Sequence, residues 1–481
     1  MNRIIFTVIA VCLSLSLFVL TLQAQTENPT PVEPTTVGPT PVPPANAMQT
    51  HLVQSGENLT IIAEAFDVLV EDLMVVNNIR SSDILAVGQE ILIPGGEGDE
   101  VATAYRTQLG DSVASVAARF NTNPLDVARV NRLVFPAYGG LDFNQPLAVI
   151  SHTGTAVPQT ITGQPHLVMP DETATIIAAK YGVSLADLSA ANDLTLPAKV
   201  YPGQRLRIPG ANDYQFLPGE WKKIEITPNP ITQGSTVAIY VENFLDGQPT
   251  GEFAGQSLNF IPKENGFAAL IGLDAFTATE DYLLSLGGAG SRPWTSFHQD
   301  VPVQAAGYIV QEINVPEELA PLLDPEIRQN EDDFLYKIYA NNSGDPKWEG
   351  VFQVPVTGTV TARYGDGRSY NAGPVEIFHS GVDFDGTVGT TISAPAAGEV
   401  IFNDWLELRG QTVIVDHGFG VMTGYYHLSD TFVEVGDAVV AGQPLAAGGS
   451  TGLSTGPHLH WELRVMGVPV NGIPWTQQTF P

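Results

Sequence analysis

Two short segments near the C-terminal end of the chain carry histidines and a carboxylate in alternating positions. The first holds His379 and Asp383, and the second holds His458 and His460. Successive side chains of a strand point to opposite faces, so each segment predicts a strand with one polar and one apolar face. Two such strands side by side would converge two histidines and one carboxylate.

These residue types favour a zinc site. Zinc takes imidazole nitrogen and carboxylate oxygen in a tetrahedron, and a catalytic site keeps three protein ligands and one open position. His458 and His460 lie close together in the sequence, so one of them can hold the metal while the other acts as a base. His427 lies in a further β-like run and can orient or hydrogen-bond developing charge. The pattern predicts a catalytic centre with one zinc ion per chain.

The order of these motifs resembles a known family. His-x-x-x-Asp is followed by Tyr-x-His-Leu and then by Gly-Pro-His-Leu-His, as in the lysostaphin-type zinc metallopeptidases, which cut peptide bonds in peptidoglycan. The resemblance covers residues 347–481 and implies a mainly antiparallel β catalytic domain. It implies three zinc ligands, His379, Asp383 and His460. It also implies non-ligand catalytic roles for His458, as general base, and for His427, as its partner in stabilising the transition state.

Two other polar residues of this region carry weaker signals. Tyr370 is a candidate for binding substrate or the oxyanion, and a loop residue without a role is the alternative. His417 stands between an aspartate and a glycine, a composition typical of a turn. We therefore leave His417 outside the predicted centre.

Upstream, three segments of the chain repeat one pattern. Each predicts a strand, two helices and a closing strand, and this order resembles the LysM module, a βααβ domain that binds N-acetylglucosamine-containing glycans such as peptidoglycan and chitin. The first copy (49–95) and the third (164–210) carry the whole pattern. The second (103–151) has an insertion around 135–140 and a weak ending, so its sugar binding is in question. Equivalent positions are Gly56, Gly110 and Asp171; Phe66, Phe120 and Tyr181; and Asn77, Asn131 and Asn192.

The N-terminal end predicts export. Residues 1–24 join a short basic start to an apolar run and predict a signal peptide cleaved after Ala24. An uncleaved membrane anchor over residues 4–22 is the alternative, because the apolar run approaches the length of a membrane span. The only cysteine, Cys12, lies in this segment, so the mature chain would hold no disulfide. Residues 25–48 are rich in proline and threonine and predict an extended linker.

Two further regions lie between the repeats and the catalytic segment. Residues 211–309 alternate apolar and polar positions between Gly/Pro turns, which predicts an immunoglobulin-like β-sandwich without chemistry of its own. Residues 310–346 contain a charged helical stretch and predict a connector packed on the enzyme. The predicted fold class is therefore multidomain: small α+β modules, a β-sandwich and a mainly antiparallel β catalytic domain.

Length and charge limit the possible partners. With 481 residues the chain is too long for one core, and its 52 acidic against 21 basic residues give a net charge of -31. This charge disfavours nucleic acid and anionic membrane surfaces, so membrane contact is expected only through an uncleaved anchor. The expected partner is peptidoglycan, with its glycan on the repeats and its stem or cross-bridge peptide on the catalytic domain.

The expected location is outside the cell, in association with the wall. Two other function classes remain open. One is a wall-binding scaffold or amidase activator without catalysis of its own. The other is a zinc amidase that cuts the bond between glycan and peptide.

Overall fold

The computed structural model describes residues 49–77, 79, 85–95, 101–133, 141–151, 158–195, 197–340, 344–375 and 377–481. The predicted signal segment (1–24), the predicted linker (25–48) and the insertion around 135–140 lie outside the described residues. Among the helices that the structure describes, none has both the length and the apolar character needed to cross a membrane.

Each of the three repeats folds as strand, helix, helix, strand. The two strands of each repeat pair in antiparallel fashion, and the helices pack on them around a small core. The closing strand of the second repeat forms despite its weak sequence signal. The elements are β1 (Thr50–Leu52), α1 (Leu59–Phe66), α2 (Val70–Asn77), β2 (Glu90–Leu92), β3 (Val101–Arg106), α3 (Val113–Arg119), α4 (Pro124–Val130), β4 (Pro146–Ser151), β5 (Thr162–Leu167), α5 (Ala174–Tyr181), α6 (Leu185–Ala191) and β6 (Arg205–Asp213).

The repeated asparagine has a structural explanation. In the first repeat the Asn77 side-chain amide donates to the Leu92 carbonyl at 2.6 Å, and its oxygen accepts the Leu92 N–H at 2.7 Å. Asn131 and Asn192 make the same pair of bonds to the closing strands of their repeats. Because a side-chain amide offers both a donor and an acceptor, one residue ties the second helix to the strand.

The next region consists of two sheets that share one core. One sheet has the order β11-β10-β14-β15-β8 and the other has the order β12-β13-β9-β7. Leu109 and Phe143 of the second repeat belong to the same core, so this repeat packs directly on the β region. The narrower immunoglobulin-like assignment stays a prediction. The strands are β7 (Trp221–Thr227), β8 (Ile231–Thr232), β9 (Thr236–Asn243), β10 (Gln248–Phe253), β11 (Gln256–Ser257), β12 (Ile261–Lys263), β13 (Gly266–Gly272), β14 (Asp281–Ala289) and β15 (Phe297–Gln304).

The connector contains a strand and two helices. They are β16 (Val310–Ile313), a 3₁₀ helix (Glu317–Leu323) and α7 (Pro325–Tyr339). The Asp324 side chain accepts the Glu326 N–H at 2.8 Å and caps the start of α7.

The C-terminal region is mainly antiparallel β structure. Its largest sheet contains the path β17-β20-β28-β24-β23-β22-β26 around a large apolar core. The elements are β17 (Val360–Ala362), β18 (Gly367–Tyr370), β19 (Ile377–Phe378), β20 (Val382–Asp385), β21 (Thr391–Ser393), β22 (Gly398–Leu406), β23 (Gly410–Asp416), β24 (Val421–Leu428), β25 (Asp430–Thr431), β26 (Ala438–Val439), β27 (Pro444–Ala447), β28 (His458–Val465), β29 (Val468–Val470) and a 3₁₀ helix (Ile473–Thr476).

The connector packs on this C-terminal region. β16 pairs with β18 in parallel, and Leu335 and Tyr339 of α7 join a core with Leu406, Ile414 and Met422. The helix therefore covers strands β22, β23 and β24 on the side away from the main core.

Candidate metal centre

Strand register brings the two predicted segments together. β20 and β28 are antiparallel neighbours, and Asp383 lies directly opposite His460. His379 precedes β20 and is held by a backbone hydrogen bond from its N–H to the Asp366 carbonyl at 2.8 Å. A Cβ at Gly381 would lie 2.5 Å from the Trp461 carbonyl oxygen, so only glycine allows this approach of the first segment to β28.

The donor atoms of the three predicted ligands face one point. The His379 Nε2 atom lies 2.9 Å from Asp383 Oδ1 and 2.9 Å from His460 Nδ1. The His460 Nδ1 atom lies 2.8 Å from the same Asp383 oxygen. These donor atoms all lie within 4.8 Å of one another, which is the arrangement that a single metal ion requires.

The outer nitrogens of both imidazoles are already bonded. His379 Nδ1 donates to the Arg363 carbonyl at 2.7 Å, and His460 Nε2 lies 3.3 Å from Glu462 Oε1. Because a carbonyl only accepts, the Arg363 contact fixes the tautomer of His379 and directs its Nε2 lone pair toward Asp383. Two ring nitrogens and a carboxylate oxygen at one point fit a cation with nitrogen and oxygen ligands such as zinc.

The electrostatics of the centre also favour a cation. Burial lowers the pKa of His379, so its imidazole is neutral. Burial raises the pKa of Asp383, but His379 and His460 outweigh it and hold the pKa well below its ordinary value. Burial lowers the pKa of His460, yet its bonds to Asp383 and Glu462 raise it overall. The two carboxylates therefore attract positive charge to this point.

His458 and His427 lie beside the three predicted ligands but are not part of their group of donor atoms. His458 Nδ1 donates to the Gly456 carbonyl at 2.7 Å, and its Nε2 lies 3.9 Å from Asp383 Oδ1. His427 Nδ1 donates to the Thr451 carbonyl at 2.6 Å. The centroids of the two rings are 4.9 Å apart, so the two imidazoles lie next to each other beside the predicted ligands.

The environment of His427 keeps it neutral. Burial, together with nearby His458 and His460, lowers its pKa to about 3. Its backbone has a φ of 60°, a left-handed conformation that a non-glycine residue adopts at a cost. A neutral His427 with a bonded Nδ1 accepts at Nε2, so it can donate to developing negative charge only after it gains a proton.

Two residues outside the sequence-based prediction hold the predicted ligands. Arg368 Nη2 donates to Asp383 Oδ2 at 3.2 Å. Glu462 is fully buried and accepts from Arg464 at 2.9 Å as well as from His460. Strand alternation signalled Glu462, because it follows His460 by two positions on the same face. Arg368 had no such signal.

Tyr370 and His417 lie in different places. Tyr370 lines a cleft of about 860 Å³ that also contains His379, His458 and His460. His417 follows β23 directly before a turn and is fully buried away from this cleft. Its Nδ1 lies 2.8 Å from the Ala397 carbonyl and its Nε2 lies 2.9 Å from Thr423 Oγ1, so both ring nitrogens have partners.

The cleft has walls from three parts of the chain. The C-terminal region supplies the histidines, the β-sandwich supplies Asp274 and Phe276, and the connector supplies Leu322, Leu323 and Tyr336. The Phe276 ring contacts Phe378 edge to face, with centroids 4.8 Å apart. The region between the repeats and the catalytic segment therefore helps to shape the space in front of the centre.

Comparison with known families agrees with these arrangements. Residues 377–472 match the sequence profile of Peptidase family M23, the lysostaphin type. Residues 51–94, 105–149 and 166–209 each match the LysM domain. The chain thus carries an M23 peptidase domain and three LysM domains.

The matches to individual curated relatives span less than a third of the length of those relatives. The murein hydrolase activator EnvC of Escherichia coli is 39% identical over 132 residues, which are 27% of this chain and 30% of that protein. The peptidoglycan DD-endopeptidase ShyA of Vibrio cholerae is 41% identical over 95 residues, which are 20% of this chain and 22% of that protein. The solved structure of the antimicrobial peptidase lysostaphin from Staphylococcus simulans is 31% identical, with a TM-score of 0.22, and the match covers 25% of this chain and 49% of that one.

Proposed function

We propose that the protein is a zinc metalloendopeptidase that hydrolyses peptide bonds in peptidoglycan. The observation that carries this proposal is the convergence of His379, Asp383 and His460 donor atoms at one point, beside two further histidines whose Nδ1 atoms are held by backbone carbonyls. Zinc bound there would polarise the scissile carbonyl and activate water. The DD-endopeptidase activity named for one relative of the M23 domain supports this reaction class.

We assign His458 the role of general base. Its Nδ1–H is held by the Gly456 carbonyl, so the Nε2 lone pair is oriented to accept a proton from the attacking water. His427 is oriented in the same way by Thr451. Because His427 is neutral before reaction, its proposed stabilisation of the oxyanion depends on a proton received during the reaction.

The LysM domains would hold the enzyme on the wall glycan. A net charge of -31 makes simple attraction to an anionic polymer unfavourable, so binding would depend on hydrogen bonds and apolar contact. We propose that the protein is secreted and wall-associated, with the signal peptide, the linker and the domain boundaries as given above. The immunoglobulin-like region would position the M23 domain, and Tyr370 would contact substrate.

The test uses the full chain, because the connector and the β-sandwich line the cleft. Purified peptidoglycan is digested with the wild type, His458→Ala, His460→Ala and the control His298→Ala, whose histidine lies exposed on β15. We expect released peptides with new amino and carboxyl ends from the wild type and the control. The His458 variant should keep stoichiometric zinc and lose about 10²–10⁴-fold in kcat. The His460 variant should lose the zinc.

Two results would contradict the proposal. Full activity after zinc removal by a chelator would exclude a zinc enzyme. Products cut between glycan and peptide would identify an amidase instead.

The similarity to a murein hydrolase activator keeps a second function under test. A protein that binds one zinc, releases no product alone and stimulates a separate amidase would be an activator of that kind. The same set of purified variants distinguishes the two functions, because an activator would not depend on His458.

A further inference from the structure

The connector helix α7 carries a carboxylate on its buried face. Glu331, Leu335 and Tyr339 follow one another at intervals of one helical turn and are the buried residues of this helix. Leu335 and Tyr339 lie in an apolar core, but Glu331 is an acid with only 6% of its surface exposed. A buried carboxylate is costly unless it is paired and hydrogen-bonded. Its partners therefore show what holds it there.

The partners of Glu331 belong to the turn between β22 and β23. Its Oε2 accepts the Leu408 N–H at 2.8 Å, and its Oε1 accepts from Arg409 Nη1 at 2.8 Å. The next residue, Asp332, accepts from Arg409 Nη2 at 3.1 Å. One carboxylate thus binds both the backbone and the side chain of this turn.

The same turn supports the predicted catalytic residues. The Arg409 carbonyl accepts the His427 N–H at 2.9 Å, and the Leu408 carbonyl accepts the Leu453 N–H at 2.7 Å. Leu453 lies in the loop that leads to His458. Glu331 is therefore one backbone hydrogen bond away from His427 and from the loop that precedes His458.

A second contact from α7 leads through Tyr426 and Glu462 to the predicted ligand His460. The Tyr339 hydroxyl lies 2.6 Å from the Tyr426 hydroxyl, and Tyr426 donates to Glu462 Oε2 at 3.3 Å. The other Glu462 oxygen faces His460. Helix α7 thus contacts the supports of both the ligands and the non-ligand histidines, although it lies outside the segment that matches family M23.

We propose that α7 belongs to the catalytic unit and that Glu331 is a positioning residue for His427 and for the loop before His458. The inference rests on the proposed function for its catalytic consequence. Displacement of a reacting group by about 1 Å can cost on the order of 10²-fold in rate. A carboxylate that holds the turn behind His427 therefore affects turnover more than substrate binding.

The test compares three variants of the full chain with the wild type. Glu331→Ala removes both acceptors, and Glu331→Gln keeps an acceptor for Leu408 but loses the negative charge beside Arg409. Glu326→Gln is the matched control, because Glu326 is an exposed glutamate on the same helix. Three quantities are measured: kcat and KM on soluble peptidoglycan fragments, bound zinc, and hydrogen exchange of peptides covering 406–411, 424–430 and 449–457.

We expect Glu331→Ala to lower kcat about tenfold or more, with KM within about twofold and zinc still stoichiometric. Amide exchange should rise in the three named peptides while the β-sandwich peptides stay unchanged. Glu331→Gln should fall between Glu331→Ala and the wild type, and Glu326→Gln should match the wild type.

The two proposals fail in different ways. A wild type that releases no peptides contradicts the proposed function, while faster exchange at 424–430 in Glu331→Ala would still support the positioning role. Unchanged exchange and unchanged kcat in a folded Glu331→Ala would overturn the inference. A loss confined to KM would also overturn it, because that would make α7 a substrate-binding wall only.

Discussion

Histidines beside carboxylates occur both in the LysM repeats and in the M23 domain. The two kinds of site differ in how far apart in the sequence their partners lie. In the third repeat His166 Nε2 lies 2.8 Å from Glu172 Oε2, and its Nδ1 lies 3.0 Å from the Tyr181 hydroxyl. In the M23 domain the residues that meet are 81 positions apart, His379 and His460. The first contact closes a local loop, and the second joins two strands.

The second repeat shows that the local pair is structural. At the position of His51 and His166 it has Tyr105, whose hydroxyl donates to Asp111 at 2.6 Å. All three rings contact an aromatic residue of the first helix or its end, with centroids 5.3–5.4 Å apart. A tyrosine can replace histidine where only a ring and one hydrogen bond are needed.

The predicted metal centre has the opposite property. Its outer ring nitrogens lie against the Arg363 carbonyl and Glu462, and its two inner ring nitrogens lie 2.9 Å apart, both within 2.9 Å of the same Asp383 oxygen. Three possible ligand atoms at one point distinguish a cation site from a satisfied pair. Residue type alone therefore does not identify a ligand, whereas the convergence of donor atoms does.

The largest expected effect is at the predicted metal centre. His460→Ala removes a proposed ligand, so we expect loss of bound zinc and at least ~100-fold lower activity. His166→Ala in the third repeat serves as the control and should keep both the bound zinc and the activity. Zinc content is measured by mass spectrometry of the purified full chain. Loss of zinc in the His166 variant would show that the two sites are not distinct in kind.

The next effect concerns acid stability. Burial lowers the pKa of His417 to about 4 from an ordinary value near 6.5. Because the folded pKa is lower, the neutral form stabilises the fold fully above pH 6.5, and this contribution is lost as the pH falls toward 4. The loss amounts to about 3 kcal/mol. Calorimetry of the M23 domain transition from pH 7 to 4 tests this.

A His417→Gln variant is the control for that measurement. It should be less stable at pH 7 but should have a shallower pH dependence than the wild type, because the titrating ring is gone. An identical pH dependence in both proteins would contradict the assignment to His417.

A smaller effect is expected from the pair in the third repeat. Burial raises the pKa of Glu172, but bonds from the Met169 N–H, Lys180 and His166 outweigh it and lower the pKa. Its contribution is present above about pH 4.5 and is lost as the pH falls through the lowered value. Glu172→Gln should therefore destabilise this repeat by about 1 kcal/mol at pH 7.

Hydrogen exchange of the third repeat measures this change. Activity on soluble fragments should not change, because no described residue of the third repeat lines the cleft. The exposed Glu64→Gln in the first repeat is the matched control. Equal exchange in Glu172→Gln and the control would contradict the role of the pair.

The smallest expected effect is at His51 of the first repeat. His51→Tyr copies the residue of the second repeat, so we expect a change within about 0.5 kcal/mol in the stability of the first repeat. The same exchange at the metal centre, His379→Tyr, should remove zinc binding. Thermal unfolding and zinc content of the two variants give the contrast directly, and a large destabilisation by His51→Tyr would mean that histidine has a further role there.

Much of this organisation could be predicted from the sequence, because it depends on short-range periodicity. The repeats follow from helical spacing and from the Asn77 position, which bonds a strand of its own repeat. Strand alternation places His458 and His460 on the same face of their strand. The His379, Asp383 and His460 grouping was predicted through the resemblance, and the structure brings these residues together, while their catalytic roles stay proposals.

The rest depends on contacts between distant segments. Gln299 of β15 accepts the Gly110 N–H at 3.0 Å and donates to the Leu141 carbonyl at 2.9 Å. These bonds dock the second repeat on the β-sandwich. The periodicity of neither segment predicts this contact, because each side has the pattern of a loop or an exposed face when it is considered alone.

The sequence by itself determined which residues share a face of each strand and helix, since backbone geometry fixes that over a few positions. It thereby determined the repeats and the two halves of the metal centre. Only the tertiary structure decided that Glu331 of the connector lies behind His427, and that Arg368 donates to Asp383. The physical reason is that a buried charge is stable only beside its partners, and here the chain brings those partners together from segments far apart in sequence.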